Sequence, residues 1–380
     1  MKKRLILGLA ALAAVTLTSC QKDQVINETP QQNAIEFGTY IGKSAQTKAT
    51  SIDNTKDLNN YAFGVYAYYT KTADYSATES TPNFMSNQKV ELVGNNWTYS
   101  PLKYWPNNSG DKVTFFAYAP YHAVGATSNV TGVSANNKTG DPIITFVTDA
   151  TITNQQDLLF ADKNNTNKKK QDITDKITFN FKHALSRIGF TAQVMIDKVS
   201  QDATGSADDA TDASAAIAKG TQIDINEIEV IGDFYIDGYL NLNGGIWDNN
   251  TSSKISSYVI KADELFNTER ISTTKTSLNK LNNEDKGYLM IIPKHFDGSN
   301  DANAVKIRVK YTVTTIDSNL DGGKSEIVND ITSAPFSINF QQGKAYNFAL
   351  QLGMTSVKFD ATVAAWEDGA DVAVNVPLNF

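Results

Sequence analysis

Through most of this chain apolar residues recur at every second position, the spacing that puts one face of a β-strand into a core. Ile35, Phe37, Thr39 and Ile41 alternate with Glu36, Gly38 and Tyr40, and Ile177, Phe179 and Phe181 repeat the pattern. Ile188, Phe190, Ala192, Val194 and Ile196 alternate without a fault, as do Val305, Ile307, Val309, Tyr311 and Val313. Further runs lie at 336–340, 346–352 and 357–363, and 61–69 is apolar on both faces. Gly, Pro, Asn and Asp separate these runs, so the pattern predicts many short antiparallel strands and an all-β fold. Only residues 262–271 read as helical, and weakly. No repeat of fixed period is visible.

The final run differs from the others because nothing follows it. Val372, Val374, Val376, Leu378 and Phe380 form one apolar stripe, alternating with Ala373, Asn375, Pro377 and Asn379. A terminal strand of this kind either closes the core of its own domain or adds itself to a groove on another subunit.

Where the alternation lapses, boundaries are expected. Residues 21–33 are polar and read as a tether, and 44–52 returns to small polar residues around Lys48. Residues 200–220 turn to Ser, Asp, Ala, Thr and Gly. At 380 residues the chain exceeds what one core usually supports, so two domains are expected, at 34–200 and 221–380.

Composition adds the route out of the cell. Lys2, Lys3 and Arg4 precede an apolar run from 5 to 17, too short to span a bilayer, and then Thr18, Ser19 and Cys20. That order describes a secretory signal over residues 1–19. Leu17, Thr18, Ser19 and Cys20 resemble the bacterial lipobox, which implies cleavage before Cys20 and acylation of its thiol. Cys20 is the one cysteine of the chain, so no disulfide supports the fold. The net charge of −7 argues against nucleic acid as a partner.

Candidate chemistry is sparse. His122, His183 and His295 lie far apart, and none has a second ligand at a metal-binding spacing. No Gly-rich phosphate loop opens a helix, and no motif calls for a cofactor. Asp224, Glu227, Glu229, Asp233 and Asp237 could hide a glycosidase pair, but nothing selects two of them. Trp97, Tyr99, Tyr104 and Trp105 could stack on sugars or fill a β core. These features favour a binding or structural protein over an enzyme.

Several segments together resemble the fimbrillins of Bacteroides-type bacteria, subunits of type V pili. They are the lipobox at Cys20, the strand at 34–41, Tyr104-Trp105-Pro106, the run at 181–190 reading FKHALSRIGF, and Gly343 to Phe348 reading GKAYNF, with Ala365-Trp366 behind it. The resemblance implies two tandem transthyretin-like β-sandwich domains and export as an outer-membrane lipoprotein. It further implies that a protease of Arg or Lys specificity removes residues up to Lys48. That cut would take away the strand carrying Ile35, Phe37 and Ile41 and open a groove in the first domain. The neighbouring subunit's residues 372–380 would fill it, so the implied partners are other fimbrial subunits and the implied role is adhesion. Many such proteins carry arginine where this chain has Lys48. The readings that compete are a surface glycan-binding lipoprotein and a tip or anchor subunit of the same pilus.

Overall fold

The computed structural model describes residues 34–42, 52, 55–123, 125–126, 128–194, 221–249, 252–262, 271, 276–277, 288–316, 319–366 and 371–373. Cys20, Lys48, the polar stretch 200–220, residues 263–270 of the helix expected at 262–271, and residues 374–380 lie outside them. The described residues are all-β except for one helical turn, α1 (Thr55–Leu58), and short 3-10 segments.

The chain begins with β1 (Phe37–Ile41), β2 (Phe63–Lys71), β3 (Met85–Val93), β4 (Asn96–Thr98) and β5 (Lys112–Ala119). A hairpin of β6 (Val130–Val133) and β7 (Ile143–Val147) leaves this group, and β8 (Leu159–Ala161) and β9 (Ile177–His183) rejoin it. The strands close into a barrel in the order β1-β4-β3-β2-β5-β8-β9. Its interior is filled by alternate residues of these strands, Phe37, Phe63, Val65, Val113, Phe115, Phe179 and Phe181 among them. Strand pairing is antiparallel around the ring except between β9 and β1.

Past His183 come β10 (Ser186–Val194), β11 (Thr221–Tyr235), β12 (Asp237–Asn241), β13 (Ile246–Asp248), β14 (Lys254–Lys261) and β15 (Thr276–Ser277). These are followed by β16 (Leu289–Ile291), β17 (Lys294–Phe296), β18 (Lys306–Ile316), β19 (Lys324–Thr332) and β20 (Ile338–Phe340). The chain ends on β21 (Lys344–Leu352), β22 (Val357–Ala365) and β23 (Asp371–Ala373). One sheet runs β15-β10-β21-β22-β23, with β16 also on β10, and another runs β14-β11-β18-β19. Their apolar faces share one core, which includes Phe190, Ile228, Val309, Phe348 and Phe359. Two sheets so packed form a sandwich.

Sheet membership divides the chain earlier than its composition suggests. β10, expected in the first domain, pairs parallel with β21 from Arg187↔Ala345 to Val194↔Leu352. The passage from barrel to sandwich therefore falls between His183 and Ser186, ahead of the polar stretch at 200–220. β12 and β13 reach back from the second half to pair with β7, giving the small sheet β13-β12-β7-β6.

A third apolar cluster joins the two halves. Tyr66, Tyr68, Phe116 and Tyr118 point out of the barrel and pack with Phe146, Leu240, Met290 and Trp366. This explains why residues 61–69 are apolar on both faces: one face lines the barrel and the other meets the second half. At the centre of the junction the His183 ring lies 3.9 Å from that of Trp366, at 7°. Gly343 donates its N–H to Leu185 carbonyl (2.9 Å), and its own carbonyl accepts from Trp366 N–H (3.0 Å). Gly343 has φ of 65°, a conformation that glycine adopts without penalty. Ser186 Oγ donates to Gln341 carbonyl at 2.7 Å. Three segments distant in sequence are thereby tied at one point. Trp366→Ala should cost about 3–5 kcal/mol of stability, the usual range for a large buried aromatic, measured by denaturant unfolding of the full chain.

Candidate functional site

β1 is the strand that closes the barrel, because it lies between β4 and β9. Against β9 it runs in register from Phe37↔Ile177 to Ile41↔Phe181. Against β4 it pairs only at Phe37↔Trp97, with an isolated bridge at Ala34↔Tyr104. Without β1 the ring opens between β4 and β9, and both present unpaired backbone groups.

Its side chains are set deep. Ile35, Phe37 and Ile41 are 1%, 1% and 2% exposed, and half-buried Thr39 lies on the same face. The Phe37 ring meets Phe179 at 5.4 Å, Tyr99 at 5.2 Å, Phe115 at 6.1 Å and Phe63 at 6.4 Å. Burying each of the three apolar side chains contributes roughly 1.5–3 kcal/mol. Glu36 and Tyr40 face outward. Ile35 N–H donates to Lys103 carbonyl (2.9 Å), and Tyr99 hydroxyl donates to Ile35 carbonyl (2.8 Å). Burial pushes the Tyr99 phenol up to about 12, so it stays a donor at ordinary pH.

After β1 and Gly42 the next described residue is Ile52, and Lys48 lies in the sequence between them. Ile52 is fully buried in the barrel core, and its N–H donates to Asp157 Oδ2 at 3.0 Å. The same oxygen lies 2.9 Å from His183 Nδ1, both side chains are wholly buried, and Leu158 N–H donates to Asp157 Oδ1 at 2.8 Å. The stacked Trp366 backs His183. β1 is held largely by β9 and the core, whereas residue 52 is held by a buried carboxylate tied to the junction.

The tail begins at the sandwich's edge. β23 pairs with β22 through Ala373↔Thr362, Val372↔Val363 and Asp371↔Ala364, and is last in its sheet among the described residues. Val372 is thus located in backbone terms, while Val374, Val376, Leu378 and Phe380 lie outside the described residues.

Other candidate residues are occupied structurally. Tyr99 and Trp105 are buried in the barrel core and Trp97 packs against it, so of that aromatic group Tyr104 is exposed and no stacking platform results. Glu227 pairs with Lys310 (3.1 Å) and Glu229 with Arg308 (3.1 Å) across β11 and β18, as ladder ion pairs on the outer face. His122 is buried, with Nδ1 3.0 Å from Ser128 Oγ, and burial lowers its pKa. His295 is exposed on β17. Among the described residues no three His, Cys, Asp or Glu side chains gather as a metal site. The Asp157–His183 pair, which no spacing rule signals, is the buried polar feature that the sequence reading missed.

With this geometry in view, comparison with known proteins is informative. The model of the Fimbrillin-like family matches residues 47–366. Fimbrium subunit Fim1C of Phocaeicola vulgatus is 25% identical, with 97% of this chain and 98% of that protein covered. The crystal structure of a fimbrial protein from Bacteroides vulgatus superposes with a TM-score of 0.65 at 21% identity, covering 88% of this chain and 99% of the other.

Phe37→Ala should lower the stability of the uncut chain by about 3–5 kcal/mol. Tyr40→Ala, on the outward face of the same strand, should change it by no more than about 0.5 kcal/mol. Equal losses at the two positions in urea unfolding would contradict the assignment of faces.

Proposed function

Because the chain belongs to the fimbrillin-like family, we propose that it is a structural subunit of a cell-surface fimbria that serves adhesion, a building block and not a catalyst. The subunit is exported as an outer-membrane lipoprotein through Cys20, then cut after Lys48 by a protease of Arg or Lys specificity. Cutting releases β1, and residues 372–380 of a neighbouring subunit take its place. The two domains serve as acceptor and donor ends of the same building block.

The observation that carries this reading is the position of β1. It closes a ring, supplies three core side chains, and is followed by a lysine-containing segment and a fresh anchor at Ile52. A strand with those properties can be removed without releasing the chain that follows it. What remains is an apolar slot with unpaired edges on both sides, a state that strongly favours recruitment of another strand. The tail offers the matching alternation at the other end of the sequence. Trimming also discards the lipid, so acylation serves as a temporary tether, and a subunit left uncut would stay on the membrane.

Lys48→Ala should yield lipid-retaining monomers and no polymer, scored by gel mobility and electron microscopy of surface material. Normal fibres from that variant would overturn the processing step. Deleting residues 372–380 should leave a folded monomer that does not polymerise after trimming. Loss of cooperative unfolding instead would mean that the tail completes its own domain.

A further inference from the structure

The direction in which the incoming tail lies follows from one proline and the hydrogen-bond polarity of the slot. This inference rests on the strand-replacement reading above. In a strand, a residue's N–H and C=O point to the same side, and successive residues alternate sides. Ile177 N–H donates to Glu36 carbonyl, so Glu36, Gly38 and Tyr40, the outward residues of β1, direct their backbone groups at β9. Ile35, Phe37, Thr39 and Ile41, the inward residues, direct theirs at the β4 side, where Ile35 N–H meets Lys103 carbonyl and Ile41 N–H ends on Thr55 Oγ1 at 3.0 Å.

The tail has the same parity of faces. Val374, Val376, Leu378 and Phe380 form its apolar face, and Pro377 lies on the other. If the tail entered in the direction of β1, Pro377 would stand where its backbone group is aimed at β9, and the missing N–H would remove a donor from the principal ladder. If it entered reversed, the apolar residues would aim their backbone groups at β9 and Pro377 at the sparsely paired β4 side. On β9 the residues that face the slot are Ile177, Phe179 and Phe181, since Asn180 carbonyl is turned the other way and accepts from Asp162 N–H at 3.0 Å. A reversed tail therefore meets β9 in a complete antiparallel ladder, with the proline at a position that forms no bond.

Length and size agree. Residues 371–373 pair with β22, and the seven residues that follow, 374–380, are as many as the run 35–41 that they would replace. Reversed, Val374 takes the place of Ile41, Val376 that of Thr39, Leu378 that of Phe37 and Phe380 that of Ile35. Valine and threonine have the same shape, and leucine fills more of the Phe37 site, ringed by Phe63, Tyr99, Phe115 and Phe179, than the valine a forward entry would put there. We propose that residues 374–380 of a second copy of this chain enter between β4 and β9 antiparallel to β9, opposite in direction to the β1 they replace, with Asn375 beside Asn180.

Disulfide trapping reads the direction. Tyr40 is in register with Asn180, so the residue occupying the Tyr40 place is Asn375 in the reversed tail and Asn379 in a forward one. The reversed pair makes no ladder bond, and its Cα atoms come to about 4.5 Å, within the range disulfides accept. Trimmed subunits carry no native cysteine, because Cys20 goes with the segment cut off at Lys48. Polymers of Asn180→Cys/Asn375→Cys and of Asn180→Cys/Asn379→Cys, formed from trimmed protein, are oxidised and run on non-reducing gels. The first should give a ladder of covalently joined subunits and the second at least tenfold less. A ladder from the second variant, or polymers of both variants without any ladder, would overturn the direction and register while leaving strand replacement standing. Polymerisation of trimmed chains that lack residues 374–380 would sink strand replacement itself, and this inference with it.

Discussion

The first half of this molecule is a ring of strands, and a ring has no edges only while every member is present. β1 is the member on which closure depends, because it contributes Ile35, Phe37 and Ile41 to the core and spans the gap between β4 and β9. The attachment is uneven, with a continuous parallel register to β9 and a single ladder pair with β4. In a barrel closed by one short strand with one well-bonded flank, loss of that strand leaves unpaired backbone groups on β4 and β9. On the proposed function, stability before trimming and reactivity after it would arise from the same contact.

Opening is useful only if the rest of the ring keeps its shape. Here the buried Asp157 matters, because its carboxylate holds the Ile52 N–H on one side and the His183 imidazole on the other. His183 stacks on Trp366, and Trp366 leads from β22 towards the tail. Ile52, a few residues after the proposed cut, and the junction between the two halves are therefore linked through three side chains, those of Asp157, His183 and Trp366. Buried polar pairs of this sort are costly to break by removing one partner.

Much of this was legible in the sequence. The period-two alternation located most strands, and the all-β class followed from it. Trp366, one of the residues that carried the resemblance, is wholly buried. The motifs at 181–190, 343–348 and 365–366 looked separate, yet Leu185, Gly343 and Trp366 are bonded in series at one joint. What escaped was the pairing of remote segments. β10 follows β9 in the chain but belongs with β21, and β12 with β7, because strand partners are chosen by packing in three dimensions and leave no local mark. The polar stretch at 200–220 signalled a break in periodicity, and such a break falls as readily inside a domain as between two. Tyr99 and Trp105 fill the β core, the alternative to a sugar platform that their residue types also allowed.

The central claim is that the assembled subunit lacks β1. Determining the N-terminal residue of subunits taken from surface fibres, by mass spectrometry of the intact chains, tests it most directly. The account predicts Ala49, the residue after Lys48. Subunits within the fibre that still begin at acylated Cys20 would contradict it.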